Sequence, residues 1–203
     1  AHRAMPHHAA PVLKAAILST DAQLCGNACE VVLQSRDYGL FPTLVKALEA
    51  PSGSNANRIA ATIRQLSIEL HDAVIQWANR ERFGSDPSFD RHHMIAALER
   101  SLHRKAARHA PALVDAFLLL APNDNCELLG MMRDARHPCH AQLVSNLTTN
   151  STPAAFERLV ALLRDTDAPQ AALQAIGQRC DRPFIEYLLH ELKCPAPLRV
   201  LHN

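Results

Sequence analysis

Apolar residues return every three or four positions along most of this chain, the spacing that lays one dry stripe along an α-helix. The clearest run is Ile59, Ile63, Leu66, Leu70, Val74 and Trp77. It predicts one long helix over residues 55–82, with Ile68 and Ile75 as a flanking second stripe, so this helix should be covered on two sides. Met94, Leu98 and Leu102 make a similar core-facing row on a helix predicted over residues 90–108.

Proline is excluded from helix interiors but favoured in the first turn, so its positions mark helix starts. Pro122, Pro153 and Pro183 are spaced by 31 and 30 residues, and Pro111, Pro138, Pro169 and Pro197 by 27, 31 and 28. Pro11 and Pro42 are again 31 apart. Two interleaved series with one period predict two helices per repeat. The residues between agree: Leu129 to Pro138 aligns with Val160 to Pro169 at an offset of 31, with Arg-Asp and Pro coinciding. A further copy near residues 190–197 is eroded.

The remaining helices are predicted over residues 11–19, 21–36, 40–50, 111–121, 124–135, 138–149, 153–164, 168–179 and 183–193. Thr152 and the stretch Asn123 to Asn125 are the expected N-caps. A helical pair cannot bury its apolar face alone, so neighbouring pairs must supply the rest of each core. The expected fold is therefore all-α: an α-solenoid of about six antiparallel helix pairs, a HEAT- or armadillo-like superhelix. It should form a single domain over residues 1–203 with an irregular middle near 80–110. The loop Phe83 to Ser88 is the expected boundary between an N-terminal and a C-terminal group of repeats.

The later repeats resemble the short HEAT-like repeats of bacterial proteins, of the class found in phycobilisome lyases. The resemblance rests on Ala171-Ala172-Leu173-Gln174-Ala175-Ile176-Gly177, then Asp181-Arg182-Pro183-Phe184-Ile185 and Leu188-Leu189. Arg58-Ile59-Ala60-Ala61-Thr62-Ile63 carries it in the first half. It implies small alanines where paired helices approach, leucines in the shared core and an Asp that caps or turns each connection. It also implies a scaffold that holds a partner along a curved surface, although a fold does not by itself fix a function.

Composition narrows the classes. Six glycines against thirteen prolines, with 4% aromatic residues, disfavour a β-sandwich or barrel. With a formal net charge of +1, no whole-molecule field draws the chain to nucleic acid or a membrane. No run of eighteen apolar residues is present, so no membrane insertion is expected. The start AHRAMPHHAAP lacks the apolar segment of a signal peptide. Cys25, Cys29, Cys126, Cys139, Cys180 and Cys194 are too sparse for a disulfide scaffold and read as reduced thiols in a cytoplasmic setting. The missing initial Met and the tail Pro195 to Asn203, which reads as a helix cut short, point to a piece of a longer chain.

Candidate chemistry concentrates on one segment. Arg100, Arg104 and Arg108 are spaced i, i+4, i+8 and share a helix face, with His93 before them. Guanidinium forks bind carboxylates and phosphates bidentately, so the strip is a candidate docking site for an acidic protein or peptide partner; the plainer alternative is a solvated helix face. Nucleic-acid binding or DNA base processing is the alternative function, and one Trp and two Tyr give it few stacking platforms. His137-Pro138-Cys139-His140, with Cys126, offers soft ligands at a spacing that matches no zinc pattern. Cys25 and Cys29, four apart on a helix, read as buried hydrophobes. No nucleophile elbow, phosphate-cradling loop or His-Glu-x-x-His is present, so neither catalysis, cofactor nor metal is expected. The expected role is a non-catalytic protein-interaction scaffold.

Overall fold

The computed structural model describes residues 9–49, 55–79, 87–103, 110–164 and 166–193. Among the described residues the chain forms helices and no strand. The helices are α1 (Ala9–Ile17), α2 (Ala22–Ser35), α3 (Phe41–Leu48), α4 (Ala56–Asn79), α5 (Ser88–Leu102) and α6 (Ala110–Leu120), followed by α7 (Cys126–Arg133), α8 (His140–Thr149), α9 (Pro153–Leu163), α10 (Gln170–Gln178) and α11 (Arg182–Lys193). A short 3-10 turn, Tyr38–Leu40, leads into α3.

Each predicted helix is present. Proline marks their starts as expected: Pro153 opens α9, Pro42 stands in the first turn of α3, and Pro169 is the N-cap of α10. Side-chain oxygens satisfy the free amides of several first turns. Asn125 accepts from the Leu128 amide at 2.8 Å, Thr152 from Ala155 at 3.3 Å, and Asp181 from Phe184 at 3.1 Å. The helix predicted over residues 90–108 ends at Leu102 as described, and residues 104–109 lie outside the described residues.

The chain divides into two compact units, Ala1–Leu120 and Ala121–Asn203. The division does not fall at Phe83 to Ser88. The helices on either side of that segment, α4 and α5, both pack on α6 and so belong to one unit.

In the first unit, α4 lies against α2, α3, α5 and α6. Its leading stripe behaves as predicted: Ile59, Ile63, Leu66 and Leu70 are buried, and Val74 and Trp77 are half-buried. Met94, Leu98 and Leu102 of α5 and Phe117 of α6 are buried in the same unit. The second stripe is corrected. Ile68 and Ile75 are 36% and 46% exposed, because the neighbours of α4 gather around its first stripe and leave this side to solvent.

In the second unit, α8 lies beside α10 and α9 beside α11, while α10 also touches α7 and α9. The 31-residue offset carries α7 onto α9 and α8 onto α10. Arg133 and Arg164 occupy equivalent positions in that register, and each reaches forward along the chain. Arg133 pairs with Asp167 at 3.0 Å, and Arg164 pairs with Glu191 at 2.7 Å.

A central polar fixture of this unit is Arg179, whose side chain is fully buried. Its Nη1 donates to the carbonyls of Leu147 at 2.7 Å and Asn150 at 2.9 Å, at the C-terminal end of α8. Its Nε donates to Asp181 at 2.9 Å. The guanidinium lies 4.7 Å from the ring centre of Phe156 on α9 and 4.6 Å from that of Phe184 on α11. One side chain thus satisfies carbonyls left over at a helix end and stacks on aromatics from two further helices.

Candidate interaction face and groove

Helix α5 is amphipathic by position. Met94, Ile95, Ala97, Leu98, Ser101 and Leu102 are buried. The opposite face carries Phe89, His93, Ala96 and Arg100, which step by 4, 3 and 4 and are all exposed. Phe89 is 79% exposed. Its ring lies parallel to that of His93, with centroids 6.4 Å apart and 4° between the planes. Arg100 Nε donates to the Ala96 carbonyl of its own helix at 3.1 Å, and the neighbouring His92 Nδ1 lies 2.6 Å from the Ser88 carbonyl. Eleven residues at helical rise separate Phe89 from Arg100, about 16 Å along the helix axis.

Of the docking strip read from the sequence, His93 and Arg100 stand seven residues apart on this exposed face. Arg104 and Arg108 lie outside the described residues.

Beside Arg100 a groove of about 290 Å³ runs between α3 and α5. Pro42, Val45, Lys46 and Glu49 line one side, and Ala97, Arg100 and Ser101 the other. Val45, Ala97 and Ser101 are buried, whereas Lys46 and Arg100 are exposed. Ser101 is only 2% exposed, and its hydroxyl has no hydrogen-bond partner among the described residues. Ser67, equally buried in α4, bonds back to the Ile63 carbonyl at 2.8 Å, the usual solution for a helical serine. Sequence reasoning missed Lys46 and Ser101. The available signal was the single basic residue in the last turn of α3.

The cysteine and histidine segments do other work. Cys139 and His140 are buried and Cys126 is exposed. The Cys139 amide donates to His137 Nδ1 at 3.2 Å. Among the described residues no three His, Cys, Asp or Glu side chains converge to hold a metal. Burial pushes the Cys139 thiol up. Cys25 and Cys29 are both buried, and the Cys25 thiol, 3.6 Å from the Ile17 carbonyl, is pushed up to about 11 by burial and then by Cys29 beside it.

A raised folded-state value means the folded chain keeps its proton when the unfolded chain has lost it. The resulting stability is complete below about pH 9 and is lost as pH rises toward about 11. The Tyr38 phenol, raised chiefly by burial and next by the Glu69 carboxylate, adds to the alkaline side. The midpoint of thermal unfolding should therefore fall between pH 9 and pH 11, and Cys25→Ala should shallow that fall; an unchanged slope in the variant would contradict the assignment.

Compared against protein-family models, curated proteins and solved structures, the chain matches none. No described helix is long and apolar enough to cross a membrane.

Proposed function

We propose that the chain is a non-catalytic helical-repeat module of HEAT-like type that binds a protein or peptide partner through the exposed face of α5. The carrying observation is Phe89, a large apolar ring held out in solvent and stacked on His93. Interfaces are enriched in aromatic and arginine side chains, and this face offers one of each at its two ends.

The repeat reading draws support from the second unit, where alternate helices are neighbours and Arg133 and Arg164 make equivalent forward contacts. The five described cysteines are free thiols, which fits a reducing, cytoplasmic setting.

A photo-crosslinking residue placed at Ala96 tests the docking face, with one at exposed Glu127 as the control. The expected result is covalent capture of one defined protein from Ala96 alone. Retention of the chain on oligonucleotides at low salt, with no protein captured, would overturn the reading in favour of nucleic-acid binding.

A further inference from the structure

We infer that the groove between α3 and α5 receives a glutamate side chain of the partner, an inference that rests on the docking reading of α5. Two observations converge. The buried part of the lining is apolar, from Val45 and Ala97, and suits the methylenes of a glutamate. The exposed cations Lys46 and Arg100 flank it from two different helices.

The charge pattern selects an anion. Lys46 and Arg100 stand in the last turns of their helices, where backbone carbonyls leave partial negative charge. That partial charge stays at the backbone, while the long side chains carry full positive charges outward to the rim. Lys46 and Arg100 outnumber Glu49 in the lining, so the groove favours an anionic side chain. The volume of about 290 Å³ lies near the lower limit for ligand pockets and suits one side chain with its adjoining backbone.

The test is an amide-resolved NMR titration of the isotope-labelled full chain with the capped peptide acetyl-Ala-Leu-Glu-Leu-Ala-amide, its Gln counterpart and inorganic phosphate. The glutamate peptide should shift amides of residues 42–49 and 97–101 and bind about tenfold more tightly than the Gln peptide. Ala97→Leu, which fills the groove, should abolish these shifts. Lys46→Gln, at an exposed position where folding is not at stake, should weaken the glutamate peptide and leave the Gln peptide unchanged. Equal binding of the two peptides, equal shifts with phosphate, or no shifts at all would overturn the inference. Shifts confined to residues 89–96 would also overturn it, while leaving α5 as a docking face.

Discussion

Replacing Arg179 by methionine should destabilise the second unit by about 2–4 kcal/mol, the usual scale for leaving two carbonyls at a packed helix end without their donor. The methylene stem and its volume survive in Arg179→Met. The donors to Leu147, Asn150 and Asp181 do not, nor does the cation between Phe156 and Phe184. Two carbonyls at the end of α8 then lose their donor, and the connection from α10 to α11 loses its anchor. Urea unfolding followed by circular dichroism measures the loss. Arg179→Lys should recover only part of it, since an ammonium cannot present the flat fork that spans three oxygens and two rings. A change below about 1 kcal/mol in the methionine variant would show that the guanidinium is dispensable.

The same residue gives the acid limb a sign. Asp181 is held below the ordinary carboxylate range, first by its hydrogen bond from Arg179 and also by the Phe184 amide, against a smaller upward push from burial. Its contribution is present above the ordinary carboxylate range and is lost as pH falls through the lowered value. Arg179→Met should therefore flatten the acid loss of stability as well as lower the plateau.

Phe117→Ala should cost the first unit about 3–5 kcal/mol, because a fully buried ring leaves a cavity that its neighbours cannot close. Phe117 has no exposed surface and sits on α6, which packs on α4 and α5. Phe89→Ser is the matched control. It deletes the same side chain where the ring is 79% exposed and should change stability by no more than about 0.5 kcal/mol. Thermal or urea unfolding of both variants checks the pair. Equal effects at the two positions would contradict the burial pattern on which both the core and the docking face depend.

Spacing reveals which residues share a face of their own helix, so the helices and the Ile59-to-Leu70 stripe are legible in the sequence. Proline and cap chemistry are equally local, and Pro42, Pro153, Asn125 and Thr152 stand where they were expected. What lies across a face is not local. Ile68 and Ile75 share a stripe, yet both keep a third or more of their surface exposed. Nothing in the spacing singles out Arg179, which is buried because carbonyls about thirty residues earlier, together with two rings, gather around it. The candidate site divides in the same way. His93 and Arg100 could be placed on one face from their separation of seven, whereas the groove joins Lys46 to Ser101 across two helices far apart in sequence. No periodicity within either helix reports that meeting.

The most direct measurement is calorimetric titration of the protein captured at Ala96 against the wild-type chain and the double variant Phe89→Ser, Arg100→Gln. Removal of one aromatic and one arginine anchor from the α5 face should weaken binding at least about tenfold, with the unfolding midpoint unchanged. Unaltered affinity in a folded double variant would contradict the account.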